Sequence, residues 1–63
     1  MTRMEATRKA RNLTQAELAQ RAQMSQPDIS AIETGRVQPW PGHAKRLARV
    51  LKLKPEELTE AVA

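Results

Sequence analysis

Cysteine, tyrosine and phenylalanine are absent from this 63-residue chain, and Trp40 is its only aromatic residue. Without cysteine, neither disulfide bonds nor thiolate metal ligands can hold so small a fold together. Packed helices, with or without help from a second subunit, must therefore supply the stability. A reducing compartment is consistent with this composition.

The residue types that usually perform catalysis are also scarce. There is no glycine-rich phosphate loop, and the six glutamates all occupy positions typical of helix caps or solvated surfaces. His43 is the only histidine and has no second ligand at a suitable spacing, which argues against a metal site. We therefore expect no enzymatic activity, no cofactor and no bound metal.

Long apolar runs are missing as well. No stretch approaches the length of a membrane span, and residues 1–12 lack the apolar segment of a signal peptide. A chain this short buries only roughly 60% of its unfolded surface, so it can hold a single core. We expect one domain over residues 1–63, located in the cytoplasm with the nucleoid and without membrane contact.

The most informative stretch of the chain contains two complete helix start signals close together. Thr14 can cap one helix, and Glu17 completes the capping box. Ser25 and Asp28 repeat the pattern, with Pro27 in the first turn, where a missing N–H is tolerated. Two helices that start this close together must cross steeply, which is the arrangement of a helix-turn-helix.

Helix-type spacing accounts for almost the whole chain. Ala44, Leu47, Ala48 and Leu51, for example, follow the i, i+3, i+4, i+7 pattern of an amphipathic helix. The pattern predicts an all-α domain without strands, with helices over residues 2–11, 15–22, 26–34, 41–51 and 55–62.

Several residues at fixed offsets form the signature of a known family: Gln15, Ala19, Ile29, Ile32 and the tripeptide 33–35. From about residue 8 to residue 58 the chain resembles the Cro and repressor type of helix-turn-helix proteins, the XRE family. The resemblance implies a five-helix, lambda repressor-like DNA-binding domain whose third helix enters the major groove. It also implies that Arg8 and Glu33 form a buried ion pair.

The chain departs from that family in its turns and its reading surface. Gln23 stands where the family usually has a left-handed glycine, and a side chain there costs about 1 kcal/mol. Asn12 replaces another common glycine with the next most tolerant residue. Pro27, Asp28 and Ala31 occupy positions where relatives often carry amides or long polar side chains. Fewer direct hydrogen bonds to bases are therefore available.

The net charge of +4 is unevenly distributed along the chain. Residues 12–35 contain three acidic residues and one basic residue, whereas residues 36–54 contain six basic residues and no acidic one. This distribution predicts that phosphate binding comes largely from the loop after Gly35 and the start of the fourth helix, while the recognition helix supplies discrimination. Arg46 is a candidate partner for the acidic last helix.

The motif and the residue types give nine candidate DNA contacts: Thr14, Gln15, Ser25, Gln26, Pro27, Ser30, Thr34, Arg36 and Gln38. The amide of Gln26 suits a bidentate pair with adenine. Gln15 and Arg36 suit phosphates, the first at a helix N-terminus and the second beside the sugar-phosphate backbone. For each of these residues the alternative is a side chain that only faces water, and for Ser30 the two interpretations are equally favoured. Asp28 fits a helix cap better than a base contact.

Trp40 stands where a small helix cap is usual. Its indole has three candidate roles: local cover for the core, a dimer contact, or packing against a DNA sugar. The expected dimer contacts are the apolar residues Trp40, Leu58 and Val62, together with the loop before Trp40.

The sequence thus favours a sequence-specific DNA-binding transcription regulator. We expect a repressor that binds a two-fold operator in double-stranded DNA as a homodimer, through recognition helix 26–34. Two alternatives stay open at this point. The first is an antitoxin that represses its own operon and neutralises a toxin partner. The second is a protein-interaction module that binds no DNA.

Overall fold

The computed structural model describes residues 1–62 and contains four α-helices: α1 (Arg3–Ala10), α2 (Gln15–Ala22), α3 (Gln26–Glu33) and α4 (Pro41–Leu51). A short 3₁₀ turn, Pro55–Glu57, follows α4. Over the described residues, the only β-type pairing is an isolated bridge between Thr2 and Ala61. The all-α class is confirmed, and no helix in this part of the chain is long and apolar enough to cross a membrane.

The predicted start signals of the two motif helices are present, one completely and one in part. The backbone N–H of Glu17 donates to Thr14 Oγ1 at 3.0 Å, and Glu17 Oε1 accepts the backbone N–H of Thr14 at 2.9 Å. The backbone hydrogen bond from Thr14 lowers the pKa of the Glu17 carboxyl. At α3, the N–H of Asp28 donates to Ser25 Oγ at 3.2 Å, but no return bond from the Asp28 carboxylate forms within the described residues. The second capping box is therefore only half formed.

The turn between α2 and α3 has the backbone expected from the family resemblance. Gln23 ends α2 in the left-handed conformation, with φ 57° and ψ 49°. Asn12 also has a positive φ, 59°, as does Lys52 after α4, 57°. Gly35, two residues after the end of α3, has φ 77°, a left-handed conformation that glycine adopts without steric cost.

The predicted fifth helix, over residues 55–62, is wrong beyond its 3₁₀ turn. The chain instead runs antiparallel to the N-terminus: the carbonyl of Leu58 accepts the N–H of Met4 at 3.0 Å, and the carbonyl of Glu60 accepts the N–H of Arg3 at 2.8 Å. The first N–H groups of any helix lack a partner within it. The observed C-terminal segment is favoured because its carbonyls satisfy these donors of α1.

The core is built from aliphatic side chains and methionine alone. Its buried members are Met4, Leu13, Leu18, Ala19, Ala22, Ile29, Ile32, Ala44, Leu47, Ala48, Leu51 and Leu58. Leu58 is fully buried, so its expected role as a dimer contact is wrong. Each buried leucine contributes about 1.5–3 kcal/mol, and Leu58 supplies this from a segment that is not helical.

One ion pair lies inside the bundle. Arg8 Nε donates to Glu33 Oε2 at 2.5 Å, and Arg8 Nη2 donates to Glu33 Oε1 at 3.3 Å. The remaining guanidinium nitrogen, Nη1, donates to the carbonyl of Leu13 at 2.7 Å. Arg8 is only 8% exposed and Glu33 only 2%. The buried ion pair implied by the family resemblance is confirmed, and it joins α1 to the end of α3.

Removing one member of this pair leaves the other charge buried and unpaired. We expect Arg8→Ala to lower the free energy of unfolding by about 3–5 kcal/mol, close to the whole stability of a domain this small. Arg3→Ala is the matched control, because the pair of Arg3 with Glu60 is partly exposed and should contribute less than about 1 kcal/mol. Denaturant unfolding of both variants provides the measurement. A near-native melting temperature for Arg8→Ala would contradict the expectation.

The left-handed conformation of Gln23 generates a second prediction. Gln23→Gly should relieve about 1 kcal/mol of backbone strain, while the greater freedom of the unfolded chain offsets part of that gain. We expect a modest rise in melting temperature. Asn12→Gly is the control, since asparagine tolerates this conformation better and the same change should gain less. A clear fall in melting temperature for Gln23→Gly would show that the side chain contributes to the turn.

Candidate nucleic-acid interface

The recognition helix α3 presents its first turn to solvent. Ile29, Ile32 and Glu33 are buried against the rest of the bundle, whereas Gln26 and Pro27 are exposed. Of the other candidates, one group is exposed and one is half-buried. The exposed group is Thr14, Ser25, Thr34, Arg36 and Gln38, and the half-buried group is Gln15 and Ser30. The side chains free to reach a ligand therefore come from the starts of α2 and α3 and from the loop after α3.

The two N-cap hydroxyls remain able to donate. Thr14 Oγ1 and Ser25 Oγ each accept a backbone N–H, at 3.0 Å and 3.2 Å. A hydroxyl that accepts in this way still keeps its own hydrogen. Both residues also lie at helix N-termini, where the helix dipole favours an anion. Each cap can therefore donate to a phosphate oxygen without losing its structural role.

Gln15 takes part in the buried ion-pair network. Its Nε2 donates to Glu33 Oε1 at 3.1 Å, so the carboxylate accepts hydrogen bonds from both α1 and α2. A side-chain amide has two N–H groups, and one of those of Gln15 is used here. No local sequence pattern indicates this contact, because its two residues lie on different helices and 18 positions apart.

The hydroxyl of Thr34 is turned back into the end of α3. It donates to the carbonyl of Ser30 at 2.9 Å and to that of Ala31 at 3.2 Å. In this conformation Thr34 offers a ligand only an acceptor, whereas a phosphate requires a donor. The helix itself ends at Glu33, so Thr34 is its cap rather than its last residue.

The loop after α3 is anchored by its backbone and carries exposed polar side chains. The N–H groups of Arg36 and Val37 donate to the carbonyl of Ala31 at 2.9 Å and 3.4 Å. Arg36 and Gln38 are themselves exposed. This anchoring holds a positive charge beside the C-terminal end of α3, as the charge distribution in the sequence predicted.

Arg46 does not pair with the acidic C-terminal segment. Its Nε donates to the carbonyl of Ala22 at 2.8 Å. Ala22 is the last residue of α2, where helix carbonyls lack partners and a positive charge is favourable. The expected pairing is therefore wrong, and Arg46 fastens α4 to the end of α2 instead.

A cleft of about 230 Å³ lies between α3 and the start of α4. Its walls include Asp28, Ile32, Val37, Trp40 and His43. Trp40 is 75% exposed, which rules out the interpretation that its indole covers the core. Its side chain makes no capping hydrogen bond at the start of α4 either. The indole therefore contributes little to the packing of the described residues.

Comparison with known proteins agrees with this geometry. A search of curated proteins found no match. A family model described as a helix-turn-helix domain matches residues 2–62, which include α2, the turn at Gln23 and α3. The crossing helices, the left-handed turn and the exposed first turn of α3 are the features that such a domain requires. The chain therefore belongs to the family of helix-turn-helix domains, a class of DNA-binding domain.

Proposed function

We propose that the protein is a sequence-specific transcription regulator of the Cro and repressor type, and that it acts as a repressor. The observation that carries the proposal is the exposed first turn of α3. Hydrogen bonds to Glu33, the last residue of α3, hold this helix against α1 and the start of α2. A helix presented in this way fits the major groove, which is wide enough to admit one helix.

Sequence discrimination is assigned to the first half of α3. Gln26 is exposed at the first position of the helix, and its amide can both donate and accept. Those are the groups needed for a bidentate pair with the N6 and N7 atoms of adenine. Pro27 and Ser30 complete the reading surface, the first by apolar contact and the second through its hydroxyl.

Affinity is assigned to the phosphate contacts on either side of α3. Thr14 and Ser25 donate their hydroxyls, and Gln15 donates the N–H that Glu33 leaves free. Arg36 and Gln38 reach the backbone from the loop. Of these side chains only Arg36 carries a charge. A phosphate that it neutralises releases counterions, so binding should weaken as the salt concentration rises.

A homodimer is the form that suits the length of the recognition helix. α3 has eight residues and is therefore about 12 Å long, enough to meet only a few base pairs. Two copies related by a two-fold axis, about 34 Å apart, would read one face of the duplex. Two half-sites together give the discrimination that one short helix lacks.

Selection of bound sequences from random duplex DNA tests the proposed function. We expect an enriched half-site that recurs as an inverted repeat, with centres about 10 base pairs apart. An antitoxin would select the same kind of DNA, and co-purification with a toxin partner would distinguish it. Absence of any enriched sequence would contradict the proposed function and favour the protein-interaction module.

Two alanine variants separate base reading from phosphate binding. Gln26→Ala should lose about 1–3 kcal/mol on the selected site and much less on random DNA, because it removes a base contact alone. Arg36→Ala is the matched control, because it should weaken binding to all sequences and reduce the salt slope by about one unit. Titrations at several salt concentrations measure both effects. Equal losses on both DNAs for Gln26→Ala would contradict its role, as an unchanged slope would for Arg36.

A further inference from the structure

Exposed apolar surface is concentrated in the loop before α4. Within the described residues, the large hydrophobic side chains that stay exposed are Met1, Val37 and Trp40. Val37 and Trp40 both line the cleft between α3 and α4. We call these two residues, Pro39 and the cleft itself the loop surface. A protruding indole therefore lies directly beside a hollow.

Trp40 has no function in the isolated subunit that would explain its presence. It occupies the N-cap of α4 without making a side-chain hydrogen bond. A serine or threonine at an N-cap would normally be more favourable. The indole is also 75% exposed, so it gains little from packing. A large aromatic side chain exposed next to a cleft is typical of a protein interface.

We propose that the loop surface joins two copies of this chain on DNA, with the Trp40 indole of each copy inserted into the cleft of the other. This inference rests on the proposed function for its DNA site. Because the projecting residue and the hollow are neighbours, a two-fold rotation makes both insertions at once, as an isologous interface requires. The cleft volume, about 230 Å³, is sufficient for one indole.

The charges favour this surface over the rest of the molecule. Two copies with a net charge of +4 repel each other, yet residues 37–42 carry no charge. Asp28 is the one acidic residue of the cleft wall, and it would face a positively charged partner. On α4, Lys45 lies on the side away from His43, the α4 residue that lines the cleft, and Arg46 is held by the carbonyl of Ala22.

The size of the surface predicts that pairing depends on DNA. A stable interface buries about 800 Å² on each partner, roughly a fifth of the 4108 Å² that this chain exposes. A tryptophan buries only about 150–250 Å², and the loop surface adds few neighbours. Free subunits should therefore be monomers in dilute solution and should pair detectably only near millimolar concentration, which is on the order of the effective concentration that neighbouring sites provide. Two neighbouring half-sites would raise the effective concentration enough for the copies to pair.

Trp40 provides its own probe, because it is the only aromatic residue in the chain. The experiment compares its fluorescence with a selected two-fold duplex and with a duplex that carries a single half-site. We expect the emission to shift to shorter wavelength on the two-fold duplex only, as both indoles become buried. An equal shift on the single half-site would mean that the indole meets DNA, and it would overturn the proposal.

Binding by two variants completes the test. Trp40→Ser supplies a favourable N-cap, so the fold should survive, and a melting curve checks this. We expect unchanged affinity for the single half-site and about thirty-fold weaker binding to the two-fold duplex, as for loss of an aromatic anchor. Trp40→Phe keeps an aromatic ring and should lose less. Equal behaviour of Trp40→Ser and the original protein on both duplexes would overturn the proposal.

A separate measurement distinguishes failure of the proposed function from failure of this inference. If selection enriches no DNA, self-association of the free protein is followed up to millimolar concentration by sedimentation and by Trp40 emission. Pairing that buries the indole and is lost in Trp40→Ser would support the loop surface by itself. A monomer with an exposed indole at every concentration would overturn it.

Discussion

The buried carboxylate of Glu33 is the point on which the arrangement of the helices depends. It accepts hydrogen bonds from Arg8 of α1 and from Gln15 at the start of α2, although it belongs to the end of α3. A buried charge is tolerated only when its hydrogen bonds are satisfied. Few other packings would bring these donors together, so the network favours one orientation of α3. That orientation decides which side chains in the first turn of α3 face solvent.

The positions of the C-terminal segment, Arg46 and Trp40 follow from the small size of the domain. Aliphatic side chains and methionine fill the core, including Leu58 from the C-terminal segment. That segment also satisfies the first donors of α1. Arg46 likewise donates to the carbonyl at the end of α2 and does not pair with the acidic C-terminal segment. Because other side chains fill the core and pair with the helix ends, the only aromatic side chain, Trp40, lies outside the core.

Local features were predictable from the sequence, and long-range contacts were not. The caps at Thr14 and Ser25 depend on neighbours within a few residues, so the pattern predicted them, whereas the left-handed conformation of Gln23 was expected from the family resemblance. The Arg8–Glu33 pair was expected only through the family resemblance. The fifth helix was wrong because the carbonyls of Leu58 and Glu60 accept hydrogen bonds from α1, and these partners lie at the opposite end of the chain.

A weak interface between subunits would contribute to specificity in a protein this small. If two copies paired tightly in solution, the phosphate contacts of both would act on any duplex, because those contacts carry no sequence information. If they pair only when two half-sites lie at the correct separation, the binding of one copy to random DNA does not strengthen the binding of the other. Discrimination then depends on the base contacts at each half-site and also on the distance between them. Under this proposal, the short reading surface around Gln26 and the small loop surface around Trp40 act together, since neither alone provides enough contact to select a site.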